Sequence, residues 1–216
     1  MSNATRFGMV QGRLTRSPPG CLQWFPQNEW DKEFGIAAEI GVDYIELIAE
    51  VQYNSENPIW TDVGIKQIKK LVKDNDLTLH ALCNDYIVEH LFLDESVVQQ
   101  NIALIKQGKN LGIEKYIMPF FESSELSADN MQKYIEPLRR VARVAYDENI
   151  TVCLETVLTG KELIKLLKLI DLPNVKAVYD TGNRIAFGHD LPGDIRLLGD
   201  AIAHVHIKDK NSDNKN

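Results

Sequence analysis

The sequence predicts an α/β barrel of parallel strands, and three observations carry that reading. Short apolar, β-branched runs alternate with longer amphipathic ones, the rhythm of repeated strand–helix units. The short runs are almost continuously hydrophobic, as strands covered on both faces must be. Three of them end on a metal-capable side chain: Glu155 in Val152-Cys153-Leu154-Glu155-Thr156, Asp180 in Val178-Tyr179-Asp180, and His206 in His204-Val205-His206. In a closed barrel of parallel strands such ends meet at one mouth. A carboxylate, a second carboxylate and an imidazole together offer a divalent cation three ligands.

The elements follow in order. Strands are expected over 7–14, 42–48, 77–83, 115–121, 151–156, 175–181 and 202–208. Between the second and third, Ile65, Ile68, Leu71 and Val72 form a helical stripe behind the cap residue Thr61. Asp94 opens a helix carrying Val98, Ile102 and Ile105 that stops near Gly112. Met131, Tyr134, Leu138, Val141 and Ala145 mark another, which Pro137 should kink or divide. Thr159 and Glu162 have capping-box spacing ahead of Leu163, Leu166, Leu167 and Ile170. The connections 49–61 and 84–93 are long for strand-to-helix turns and read as binding loops.

Seven strands are readable, whereas a closed (β/α)₈ barrel needs eight. Residues 1–216 are expected to form a single barrel domain, apparently incomplete: the eighth strand and last helix are missing, and a polar tail, 209–216, stands in their place. A natural seven-stranded variant is the alternative, disfavoured because an open edge leaves strand hydrogen bonds unpaired. The same open edge makes a homo-oligomer an expectation. Residues 1–4 are left out of the fold, as a stretch that can include an expression remnant.

Composition narrows the function. A net charge of −7 gives no electrostatic footprint for nucleic acid or an anionic membrane. No apolar run reaches membrane-spanning length and no signal-peptide pattern opens the chain, so a cytoplasmic protein is expected. Of the three cysteines, Cys83 and Cys153 fall in strands and read as buried thiols; Cys21 does not.

Each candidate side chain has a plainer role to weigh. Glu155 could pair with a lysine, and Asp180 could cap the turn Thr181-Gly182-Asn183. His204 shares a strand face with His206 but lies farther from the carboxyl end, and is expected to be a hydrogen-bonded barrel histidine. Lys208 is placed to meet a substrate hydroxyl or phosphate, or solvent. Asn183 either binds sugar or holds the turn. Glu46, polar within a buried strand, needs a partner; Arg13 at the end of the first strand is a candidate, the pair being either structural or part of the pocket lining. His80 lies inside the third strand, satisfied by neighbours or lining the pocket. Trp24, Phe25, Trp30 and Trp60 sit on or near mouth-side loops, as loop anchors or as a sugar-stacking face.

In this order the motifs resemble a known family. Met9-Val10-Gln11-Gly12-Arg13-Leu14, Tyr44-Ile45-Glu46-Leu47, Cys83-Asn84-Asp85-Tyr86, Leu154-Glu155-Thr156, Tyr179-Asp180-Thr181-Gly182-Asn183 and His206-Ile207-Lys208-Asp209 are similar to motifs of the xylose-isomerase-like TIM-barrel superfamily. Within it the match is best to the sugar-phosphate isomerase/epimerase branch. The resemblance implies one divalent ion (manganese, magnesium, cobalt or zinc) held by Glu155, Asp180 and His206, with a further Glu on the strand this sequence lacks. It implies Glu155 as the base that forms an enediolate from a small ketose or sugar phosphate. The substrate side would be lined from Asn183, Lys208, Arg13, Glu46 and His80. Hydroxypyruvate-type isomerases and keto-inositol dehydratases share the enediolate step. An impaired barrel serving as a sugar-binding or assembly module is the reading from another class. Endonuclease-like DNA repair on the same barrel fits poorly, because its zinc cluster needs more histidines than the five present.

Overall fold

The computed structural model describes residues 5–21 and 23–208. Asp209 of the last motif, the polar tail and residues 1–4 lie outside the described residues. The strands are β1 (Gly8–Val10), β2 (Tyr44–Ala49), β3 (Ala81–Asn84), β4 (Lys115–Phe120), β5 (Thr151–Thr156), β6 (Val175–Asp180) and β7 (Ile202–His206). They form one sheet in the order β1 to β7, every neighbouring pair parallel. Helices α1 (Lys32–Ile40), α2 (Asp62–Asp74), α3 (Tyr86–Glu89), α4 (Glu95–Leu111), α5 (Met131–Asp147), α6 (Gly160–Ile170), α7 (Thr181–Ala186) and α8 (Leu191–Leu198) fill the connections. The result is a curled TIM-barrel sheet, incomplete, with no eighth strand among the described residues.

Two apolar layers follow from the period-2 alternation of side chains. Leu47, Leu82, Tyr116, Met118, Leu154 and Tyr179 point outward and pack under the helices in the larger cluster. Tyr44, Ile48, Ala81, Cys83, Ile117, Cys153 and Val178 point inward and fill the barrel with Phe25. Each fully buried Leu or Ile among them contributes roughly 1.5–3 kcal/mol relative to exposure. Burial is nearly complete along β2 to β6 and partial on β1 and β7, whose outer edges have no partner strand among the described residues.

The helix punctuation expected from sequence is present. Thr61 accepts from the Gly64 N–H, and Thr159 and Glu162 form both halves of the capping box. Asp94 occupies the N-cap of α4 in extended conformation, but its side chain makes no capping bond. Pro137 does not divide its helix: α5 runs unbroken, with the half-buried ring sacrificing one N–H bond while Tyr134, Leu138 and Val141 anchor the helix in the core. The long connections 49–61 and 84–93 carry short helices, a 3₁₀ turn at Pro58–Trp60 and α3.

Strand limits need correction at the two ends of the first half. β1 stops at Val10 rather than residue 14, because Gly12 turns the chain in a left-handed conformation (φ +84°) against Trp24. Glu33, at the start of α1, then collects the turn. Fully buried, its carboxylate accepts from the N–H groups of Gly12, Leu14 and Thr15 and from the Thr15 hydroxyl, at 2.9–3.2 Å. β3 begins at Ala81 rather than 77, with only an isolated bridge from Tyr44 to Thr78 before it. Glu33→Gln removes acceptor capacity from this buried knot. We expect a loss of about 1–3 kcal/mol, read as a lower urea midpoint at unchanged slope; an unchanged midpoint would contradict the anchoring role.

Candidate metal centre

The inward row of each strand turns from apolar to ionisable at its carboxyl end. Glu155 lies two residues beyond the inward Cys153, Asp180 two beyond Val178, and His206 two beyond His204. Ligand atoms of Glu155, Asp180 and His206 come within 4.8 Å of one another. His206 Nδ1 stands 3.4 Å from Glu155 Oε2 and 3.7 Å from Asp180 Oδ2. Asp180 Oδ2 is met by the Lys208 ammonium at 2.6 Å, yet neither that oxygen nor His206 Nδ1, both buried, makes a directed hydrogen bond. A ring nitrogen without a hydrogen bond and a carboxylate oxygen held only by a half-exposed lysine, beside a second carboxylate, suit a divalent cation.

The other atoms of these groups are fixed. Asp180 Oδ1 accepts from the Asn183 N–H at 2.7 Å and caps α7, so this residue fills the capping role and keeps its second oxygen for the mouth. Asn183 Nδ2 donates to Glu155 Oε1 at 2.7 Å, which leaves Oε2 for the site. On the far side of the imidazole, His206 Nε2 is 3.2 Å from Glu46 Oε1, and His204 Nε2 is 2.8 Å from Glu46 Oε2. A carboxylate on the far ring nitrogen fixes the tautomer and orientation of a metal-binding histidine.

Charge and burial set the protonation states. Burial would push the Glu46 carboxyl up, but the charge of His206 and the hydrogen bonds from both histidines hold it well below the usual carboxylate range. Asp180 is likewise held low, burial being outweighed by His206, Lys208 and the Asn183 N–H. Burial opposes a charged His206, yet Glu46, Asp180 and Glu155 together raise it well above its ordinary value.

Three other sequence expectations meet the structure differently. Arg13 is exposed in the turn after β1 and does not reach Glu46, whose buried position is satisfied by the two imidazoles of β7. His80 precedes β3 and so lies at the amino end of the barrel, away from the mouth, with Nδ1 3.2 Å from Glu114. There it lines a cleft of about 860 Å³ with Arg6, Phe7, Tyr44 and His204, and burial with Arg6 nearby pushes it down to about 4. Lys208 is at the mouth, half-exposed and paired to Asp180. Among the aromatics, Phe25 plugs the interior and Trp24 is a loop anchor, its Nε1 donating to Gly12 O at 2.9 Å. Cys83 and Cys153 are buried, as the sequence indicates, and Cys21 is exposed.

Comparison with known proteins identifies the family. Residues 34–216 match the family model described as xylose isomerase-like TIM barrel. The chain belongs to that family. It is 22% identical over 210 residues to the D-psicose 3-epimerase of Ruminiclostridium cellulolyticum, covering 86% of this chain and 70% of that one. It is 23% identical over 199 residues to a probable L-ribulose-5-phosphate 3-epimerase of Mycoplasma pneumoniae, covering 83% of this chain and 64% of the relative. A xylose isomerase-like TIM barrel protein from Mycobacterium smegmatis, solved in complex with magnesium, superposes with TM-score 0.71 at 18% identity, over 94% of this chain and 75% of that one. The first two of these relatives are named as sugar epimerases. No helix among the described residues is long and apolar enough to cross a membrane.

The elevated His206 has a measurable consequence. Its folded value lies above the ordinary 6.5, so its favourable contribution is full below 6.5 and is lost as pH rises through the folded value. In metal-free protein, the His206 ring should titrate above 6.5 by NMR, and Glu46→Gln should lower that midpoint. A midpoint at or below 6.5 in the unsubstituted chain would contradict the charge arrangement.

Proposed function

We propose that the chain is a metal-dependent isomerase or epimerase of a small ketose or ketose phosphate, working through an enediolate with Glu155 as base. The observation that carries this reading is the convergence of Glu155, Asp180 and His206, whose ligand atoms lie within 4.8 Å of one another, with His206 Nδ1 making no hydrogen bond. A proton on carbon beside a carbonyl is weakly acidic, so its removal requires stabilisation of the developing enediolate charge. A divalent cation held by the three residues supplies that stabilisation as a Lewis acid.

The chain's own groups do the rest. Glu155, its carboxylate oriented by the Asn183 amide, is the group that takes the proton. Asn183 therefore acts by positioning the base, and Glu46 by orienting His206. Lys208, half-exposed at the rim, meets a hydroxyl or phosphate of the sugar once drawn from Asp180. The D-psicose and L-ribulose-5-phosphate epimerase names of the relatives support a ketose or its phosphate as substrate class.

The test is conversion of D-psicose to D-fructose, and of L-ribulose 5-phosphate at its C3, by the chain loaded with Mn²⁺. Glu155→Gln should lower the rate by about 10²–10⁴-fold, the usual worth of a positioned base. Turnover that survives this substitution would contradict the reading. Sugar binding with no turnover would favour a binding module instead.

A further inference from the structure

We infer that Arg184 is a positioning residue for the proposed base: with Asp194 and His189 it locks α7 against the turn after β5, so that Asn183 holds the Glu155 carboxylate in place. This role rests on the isomerase/epimerase reading and extends it to three largely buried side chains outside the cation ligands.

Helix α7 is the hinge of the site. It starts at Asp180, whose side chain caps it, and in its first turn it carries Asn183, which donates to Glu155 Oε1 at 2.7 Å. A helix of six residues does not hold itself together in water. The next residue, Arg184, fixes it, with a side chain only 4% exposed. Its Nη1 donates to Asp194 Oδ2 on α8 at 2.5 Å and stands 3.2 Å from His189 Nδ1. The guanidinium carbon also lies 5.0 Å from the ring centroid of Tyr179, the strand residue just before Asp180.

Both polar partners of Arg184 reach the segment that follows Glu155. Asp194 Oδ1 accepts from the Gly160 N–H at 3.1 Å, where α6 begins. His189 hydrogen-bonds the Val157 backbone. Burial and the Arg184 charge push His189 below its ordinary value, so a neutral ring can accept from Arg184. The contacts close a ring that runs from Glu155 along the chain to Val157 and Gly160. It returns through His189 and Asp194 to Arg184, Asn183 and Glu155 again. Gly160 shows how closely the ring is packed, since a Cβ there would stand 2.4 Å from Asp194 Oδ1. The Tyr179 hydroxyl adds a clamp, donating at 2.8 Å to Leu191 O at the start of α8.

Stability alone does not call for an ion pair here, because well-packed apolar residues of like volume often serve as well. A planar guanidinium that meets a carboxylate, an imidazole and an aromatic face in fixed directions supplies orientation. Asp180, by contrast, is set by the sheet, where β6 pairs it with His206. Loosening α7 therefore disturbs the aim of Glu155 more than it disturbs cation binding.

Arg184→Met and Gly160→Ala in the full chain test this, with Arg184→Lys as the conservative variant. In ¹⁵N-labelled, metal-free protein the Asn183 side-chain amide is identified by its loss in Asn183→Ser. Its resonance should move in Arg184→Met and Gly160→Ala in the direction that Glu155→Gln moves it, and move less in Arg184→Lys. With Mn²⁺ and D-psicose, kcat should fall about 10–100-fold in Arg184→Met, as a small misplacement of a reacting group costs, with KM and Mn²⁺ affinity within about threefold. Should Arg184→Met not fold, Gly160→Ala, which keeps every charge, decides by the same readings. An unmoved Asn183 amide, or loss of kcat, substrate affinity and Mn²⁺ affinity in step with the melting temperature, would overturn the role of Arg184. An unsubstituted chain without turnover would overturn the underlying reading, while a moved Asn183 amide would still show Arg184 setting Glu155.

Discussion

Everything at the mouth depends on one buried carboxylate, Glu46. It projects from β2 into the barrel interior and meets both histidines of β7, the strand at the other end of the sheet. Sequence separation across this contact is 160 residues, so forming it closes most of the chain into one curved sheet. A single buried carboxylate there would be costly; paired with two imidazoles it is held ionised and fixes their rings. His206 then has one nitrogen committed to Glu46 and the other free toward Glu155 and Asp180.

The barrel interior is graded from one end to the other. Ala81, Cys83, Ile117, Cys153 and Val178 fill its middle with side chains that need no hydrogen bonds. At the next inward position toward the mouth, β5 and β6 carry Glu155 and Asp180. The apolar plug excludes water from below and strengthens the electrostatics above it. Glu155 and Asp180, set against His206 and Lys208 at these strand ends, give the mouth a cluster of groups of the kind that holds a cation.

Much of this was legible in the sequence because it obeys short periods. Strand 151–156 was located to the residue, since its apolar run and its terminal Glu155 coincide with the ends of β5. Glu155, Asp180 and His206 could be grouped because each ends such a run. What escaped depends on contacts between distant segments. The partner of Glu46 was sought in the nearby Arg13, whereas parallel pairing brings it to His204 and His206. His80 stands too early in its strand to reach the mouth, because β3 begins only at Ala81. Helices α1, α7 and α8 are short or carry Gly and Pro, so periodicity alone did not mark them. Glu33 was missed because an acidic residue opening a helix looks like an ordinary macrodipole partner; only the fold reveals the turn it holds.

The central claim is that Glu155, Asp180 and His206 form one cation site in this chain. Calorimetric titration with Mn²⁺, comparing the chain with Asp180→Asn, tests it most directly. Near-stoichiometric binding that weakens at least about tenfold in the variant is the expected result, since the substitution replaces a charged ligand by a neutral amide. Absence of saturable binding, or binding indifferent to the substitution, would contradict it.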